Sequence, residues 1–173
     1  MSASILVAYA SRYGSTEEVA AAIAGTLRER GPAVDLKPMH DVQTLAGYTA
    51  VVLGAPLYIG HWHKDAHHFL AQHSAALTEL PVAVFALGPL HPDEEEVQGA
   101  RDELDQELAK YAWLKPLAVA VFVGKYDPAK LHFFDSLLTR LPASPIYHLP
   151  PSDLRDWNAI GSWAADLKLP VVA

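Results

Sequence analysis

Cysteine is absent from the 173 residues. That absence excludes disulfides, thiolate catalysis, iron–sulfur clusters and cysteine zinc sites, and it fits a reducing compartment. Basic residues are outnumbered, with 13 Lys and Arg against 20 Asp and Glu, for a formal net charge of −7. With no basic patch, this charge argues against a nucleic-acid partner. No apolar stretch approaches the roughly 20 residues of a membrane span, so membrane contact is expected to be peripheral at most. The first residues lack a basic n-region, so a signal peptide is not expected and a cytoplasmic location is. Repeats, low-complexity tracts and linkers are missing too. The length suits one domain over residues 1–173 with a substantial core.

What is present is a regular alternation of strands and helices. Residues 5–10 (Ile-Leu-Val-Ala-Tyr-Ala), 50–55, 82–87 and 117–123 are nearly continuous apolar runs, as required of strands buried on both faces of a parallel sheet. In residues 34–38, Val34 and Leu36 alternate with Asp35 and Lys37 before Pro38, which predicts a short edge strand. Val19, Ile23 and Leu27 form a helical stripe stopped by Gly31-Pro32. Phe69, His73 and Leu77 predict a helix over about 65–79. Val97, Arg101, Leu104, Leu108 and Tyr111 predict one over about 93–112, and Trp157, Ile160, Ala164 and Leu167 mark the last. Five strands alternating with helices specify an α/β class, a doubly wound parallel sheet in a three-layer α/β/α sandwich. Ligands of such sheets sit beyond the carboxyl ends of the strands. The loops at 11–16, 56–63, 88–92 and 124–129 are therefore the candidates.

The first of these is the most informative. Ser11, Arg12, Tyr13, Gly14, Ser15 and Thr16 join a buried strand to a helix. A helix N-terminus presents free N–H groups and a positive dipole end to an anion. Ser11, Ser15 and Thr16 add hydroxyls, and Gly14 permits close approach or positive φ. Ser15 and Glu18 have the spacing of a capping box. The Gly-x4-Gly-Lys-Ser/Thr pattern and the three spaced glycines of dinucleotide sites are both missing, which leaves a single phosphate monoester. The alternative is a plain strand-to-helix turn.

The second loop (Pro56, Leu57, Tyr58, Ile59, Gly60, His61, Trp62 and His63) is aromatic and apolar where a loop is ordinarily polar. Tyr58, Trp62 and His61 can sandwich a flat ring; the alternative is that they cap the sheet or bury in an interface. In the third loop, Gly88, Pro89, Leu90 and His91 can present backbone N–H groups to a ring edge, or form a simple turn. The acidic residues 93–96 suit a helix N-terminus. His61, His63, His67, His68 and His73 crowd one region, and a partly solvated polar face explains them better than a metal site.

On these residues the first loop resembles the mononucleotide-binding loop of flavodoxins, Ser/Thr-x-Thr-Gly-x-Thr: Ser11, Gly14 and Thr16 match and Tyr13 replaces the middle Thr. Three further features resemble the menaquinone-dependent protoporphyrinogen oxidase branch of that family. They are Gly54-Ala55 followed by Gly60-His61-x-His63, Gly124 followed by Lys-Leu-x-Phe-Phe-Asp at 130–135, and the closing Asp156-Trp157.

The resemblance implies a flavodoxin-like sheet of order 2-1-3-4-5 that binds FMN non-covalently. Residues 11–16 would hold its phosphate, residues 56–61, 88–91 and Gly124 would flank its ring, and His61 and His63 are the candidate catalytic groups. It implies electron transfer from a reduced small molecule, protoporphyrinogen being one candidate, to a quinone or another acceptor. A non-enzymatic carrier between redox proteins is the alternative, and the acidic charge suits it. Residues 126–152 form an insertion before the last helix, where Leu131, Phe134, Leu138 and Leu141 predict a short amphipathic helix. It either folds back on the core or takes a substrate-side or interface role.

Overall fold

The computed structural model describes residues 4–170. Its centre is β1 (Ser4–Tyr9), whose side chains alternate between two cores: Ile5 and Val7 enter one, Leu6 and Ala8 the other. Period-2 alternation of purely apolar residues produces this two-sided burial. β1 pairs in parallel with β2 (Ala33–Pro38) on one side and β3 (Tyr48–Tyr58) on the other. A strand absent from the sequence expectation, β4 (His61–Trp62), folds back antiparallel on the end of β3. β5 (Val82–Leu87) and β6 (Ala118–Phe122) complete the parallel sheet, in the order β2-β1-β3-β5-β6. Counted over the five parallel strands this is 2-1-3-4-5, the flavodoxin-like arrangement. β2 lies at the edge with a mixed burial pattern, as its alternating sequence requires.

Helices cover both faces. α1 (Ser15–Glu29) places Val19, Ile23 and Leu27 against Ile5, Val7 and Val52. It stops before Gly31, which adopts φ 106°. On the opposite face α2 (Lys64–Gln72) buries Phe69 and Leu70, α3 (Ser74–Glu79) buries Leu77, and α4 (Glu94–Ala109) buries Leu104.

The expected single helix over 65–79 is thus two. The break falls at His73, whose buried ring donates from Nε2 to the Val42 carbonyl at 3.3 Å and packs on Phe69. Pulling His73 toward Val42 takes its backbone to φ −109°, ψ 15°, out of helical geometry. The Ser15–Glu18 capping box does not form either. Gly14, at φ 90°, is the N-cap, so Ser15 is already helical. Glu18 turns instead to the buried Arg155 guanidinium at 2.6 Å.

Beyond β6 the chain makes an excursion pinched at its base by β7 (Lys125–Tyr126), which pairs antiparallel with β8 (Ser152–Asp153) further along the chain. Between them lies α5 (Phe133–Leu138). Arg155 anchors the return. It donates to both Asp153 oxygens at 2.8 and 2.7 Å and to the Ser15 carbonyl at 3.2 Å, tying the excursion to the start of α1. α6 (Trp157–Asp166) is capped by Asp156, which accepts from the Ala159 N–H, and it packs beside α1 through Ile160 and Ala164.

One position tests the central packing. Gly54 sits in register with Phe85 across β3 and β5, and a Cβ at Gly54 would fall within the Phe85 ring. Phe85 is fully buried and has nowhere to swing. Gly54→Ala should therefore lower stability by about 1–3 kcal/mol, read as a lower urea midpoint with an unchanged m-value.

Candidate functional site

The carboxyl ends of β1, β3, β5 and β6 open on a cavity of about 660 Å³, within the usual range for a small-molecule site. Its floor begins at the first loop. The Ser11 hydroxyl accepts from the Gly14 N–H at 2.8 Å, closing a turn that delivers the chain to α1. Arg12, Tyr13, Ser15 and Thr16 face the cavity, whereas Ser11 and Gly14 shape the turn without lining it. Thr16 is buried and its Oγ1 has no hydrogen-bond partner among the described residues. A buried hydroxyl without a partner is costly. One that stands beside the first N–H groups of a helix suits a bound anion. The Tyr126 hydroxyl, on another lining residue, is likewise buried and unpaired, and burial raises its pKa.

The second loop is a tight hairpin. Ile59 and Gly60 have φ 49° and 73°, the positive pair of a two-residue type I′ turn. Pro56, Leu57, Tyr58 and Ile59 line the cavity. Gly60, His61, Trp62 and His63 do not, which corrects the sequence expectation of a ring sandwich. Because β4 reverses direction, Trp62 is carried into the core, 2% exposed, with its indole N–H donating to the Ala55 carbonyl at 3.0 Å. Gly60 edges a smaller neighbouring pocket. His61 is exposed, with Nδ1 3.8 Å from Glu107. His63 caps α2, its Nδ1 accepting from the Asp65 N–H, and burial lowers its pKa. Neither candidate catalytic histidine reaches the cavity.

His67 bonds Glu107 and Tyr111 at 2.6 Å each, and His68 is exposed, so the histidines of this region serve separate local roles. Gly88, Pro89, Leu90, His91 and Gly124 all line the cavity. Acidic residues 93–96 straddle the start of α4, where Glu96 pairs with His91 at 3.0 Å.

Sequence reasoning missed Asp135. This α5 carboxylate, 6% exposed, gathers three side chains from the first two loops. Arg12 donates to Oδ2 from Nε and Nη2 at 2.9 and 2.5 Å, the Tyr13 hydroxyl donates to the same oxygen, and the Tyr58 hydroxyl donates to Oδ1 at 2.8 Å. Burial pushes the Asp135 pKa up, but donation from Tyr13, Arg12 and Tyr58 outweighs it and holds the group below the ordinary carboxylate value. Burial and the bond to Asp135 push the Tyr58 phenol well above its ordinary pKa, so it stays protonated. Arg12 also stacks on the Tyr58 ring, 4.5 Å from its centroid.

Around this clasp the excursion roofs the cavity with Leu131, Leu138, Leu141 and Ile146, while Lys125 and Lys130 also face it. Phe134, expected on the Leu131 face, instead points outward with Phe133, the two being 80% and 72% exposed. A six-residue helix anchored by Asp135 cannot turn all these apolar groups inward.

An apolar chamber beside the head of α1, at the carboxyl edge of a 2-1-3-4-5 sheet, is the architecture of a flavodoxin-like protein. The sequence profile of the flavodoxin domain matches residues 6–145, and the chain belongs to that family. It is similar to protoporphyrinogen IX dehydrogenase [quinone] of Escherichia coli K12, 23% identical over 138 residues that span 79% of this chain and 76% of the relative. The enzyme of the same name from Leishmania major is 24% identical over 169 residues, or 93% and 73% of the two chains. In fold the chain resembles the two-electron reduced Megasphaera elsdenii flavodoxin, with a TM-score of 0.54 over 94% of this chain and 99% of that one at 16% identity.

The buried carboxylates predict acid sensitivity. Burial raises the Glu107 pKa, but bonds from Lys110, His67 and the Trp62 N–H lower it further than burial raises it. Asp135 and Glu107 therefore both titrate lower when folded than unfolded. Their stabilisation is complete above the ordinary carboxylate range and is lost as pH falls through it, roughly from 5 toward 3. Urea midpoints should drop across that window, and less so in Glu107→Gln. A midpoint that rises on acidification would contradict this.

Proposed function

We propose that this chain is an FMN-dependent oxidoreductase that takes electrons from a reduced small molecule and delivers them to a quinone or a comparable acceptor. The observation that carries the reading is the orphaned Thr16 hydroxyl at the head of α1, opening into a roofed, largely apolar cavity. The residues present fit the cofactor. The Thr16 and Ser15 hydroxyls with the first N–H groups of α1 would hold its phosphate, and Pro56, Leu57, Tyr58 and Ile59 would face Gly88, Pro89, Leu90 and His91 across its ring. Bound FMN would supply the two-electron redox chemistry. The protein would supply orientation, a dry apolar roof and the protonated Tyr58 phenol. Relatives named protoporphyrinogen IX dehydrogenase [quinone] support a quinone acceptor and make a porphyrinogen one candidate donor. Lys125 and Lys130 at the cavity wall suit an anionic group on such a donor.

We assign no catalytic role to His61 or His63. Residues 4–170 work as one domain in this reading, with the excursion as its lid. No helix among the described residues is long and apolar enough to cross a membrane. Any membrane contact would be peripheral, and we propose a cytoplasmic setting.

A net charge of −7 favours a second reading, an electron carrier that docks on basic redox partners. The roof argues against it, because a carrier needs its redox group open to a protein surface. Two-electron reduction with turnover of a soluble quinone supports the enzyme; stable one-electron reduction without quinone turnover supports the carrier.

FMN titration tests both. The flavin absorbance should shift and its fluorescence quench on binding, and a titration without either change sinks both readings. Gly14→Val strains a residue at φ 90° and Thr16→Ala deletes the orphaned hydroxyl. Each should weaken FMN about tenfold or more. Unchanged affinity in both variants would place the phosphate elsewhere.

A further inference from the structure

The excursion between β7 and β8 is tied down at two places. Arg155 fixes its return to α1, and Asp135 fixes α5 to the cavity mouth. The second tie is unusual in what it uses. Arg12 is the sole Lys or Arg among residues 11–16, the loop whose hydroxyls and helix end suit a phosphate. Its guanidinium is committed to a carboxylate 123 residues away in the chain. The Tyr13 hydroxyl of the same loop and the Tyr58 hydroxyl of the second loop are committed to that carboxylate as well. One buried anion thus draws the single cation of the cradle out of the cradle's service. The same anion holds α5 where Leu138 lines the cavity.

We propose that Asp135 is a positioning residue with two opposed effects. It seats the roof that the second, apolar substrate needs, and it withholds Arg12 from the cofactor phosphate, so that the cofactor is held by neutral donors. The inference rests on the FMN reading above. Its physical basis is competition. A guanidinium whose charge is already paired with a buried carboxylate, through Nε and Nη2 on one oxygen, is a weaker partner for a second anion. Freed from Asp135, Arg12 lies in the loop next to Ser15 and Thr16 and gains a charge-assisted bond to phosphate. Freed from Arg12, Tyr13 and Tyr58, α5 keeps no side-chain hydrogen bond to the first two loops among the described residues, and its flank of Phe133 and Phe134 is exposed. A residue that merely stabilised the fold would move both affinities the same way, whereas this arrangement moves them in opposite directions.

The test compares wild type, Asp135→Asn, Asp135→Ala and the double variant Arg12→Ala/Asp135→Ala. FMN affinity is measured by fluorescence quenching, and menadione affinity for the FMN-loaded proteins by equilibrium dialysis. Asp135→Ala should tighten FMN and weaken menadione, each by up to about tenfold. The tightening should vanish in the double variant. Asp135→Asn, which keeps the side chain's shape and hydrogen-bonding oxygen, should shift both affinities in the same directions by less. Trypsin should cleave after Lys130 or Arg140 faster in Asp135→Ala than in wild type. Loss of FMN and menadione affinity together, or no change in either, in protein with a wild-type melting profile overturns the inference while leaving the FMN reading intact. A wild-type protein that binds no FMN overturns both.

Discussion

A parallel sheet covered by helices on both faces leaves one region where polar chemistry and a ligand can meet, the edge beyond the carboxyl ends of its strands. Everything functional in this chain follows from that constraint. Ile5, Leu6, Val7 and Ala8 are consumed by the two cores, and the chain first becomes polar at Ser11, where β1 gives way to α1. Because β3 and β5 flank β1 on the same side of the sheet order, their terminal loops arrive beside the first loop without further design. The cavity is the space those loops cannot fill. The excursion pinched by β7 and β8 then closes over it with an apolar surface.

The electrostatics of the site are internally balanced. Arg12, which a surface view would read as a phosphate ligand, is neutralised by Asp135, and two tyrosine hydroxyls complete the carboxylate's shell. Buried charges persist when paired and fully hydrogen-bonded, and Asp135 meets that condition with donors from two loops. The cost of ordering the excursion is thereby offset by contacts made at the cavity rather than in the core. This places the first two loops and the roof under shared control, since neither loop can rearrange without disturbing the other's bond to Asp135.

The strands were legible because residues buried on both faces leave unbroken apolar runs; residues 82–87 coincide with β5. The turn into α1 was legible because a strand-to-helix switch, a Gly and clustered hydroxyls are all local features. Features set by distant contacts were not. Trp62 reads as a loop aromatic, but the type I′ turn at Ile59 and Gly60 reverses the chain and buries it beneath the sheet. His73 fits a helical stripe, yet the Val42 carbonyl, 31 residues earlier, breaks the helix there. Asp135 closes the Lys-Leu-x-Phe-Phe-Asp segment at 130–135, but nothing in that segment reveals its role, since its partners lie 122, 123 and 77 residues away. Glu18 has the spacing of a capping residue and was claimed instead by Arg155.

The phosphate reading centres on Ser15, Thr16 and the head of α1, which we propose enclose a phosphate monoester. The most direct measurement is the phosphorus NMR signal of FMN with one equivalent of protein, followed over pH. A free monoester titrates with a pKa of about 6. Enclosed among the Thr16 hydroxyl and the helix N–H groups, the phosphate should give a displaced signal that no longer follows pH across that range. A signal that titrates as free FMN does, with the flavin otherwise bound, would contradict the account.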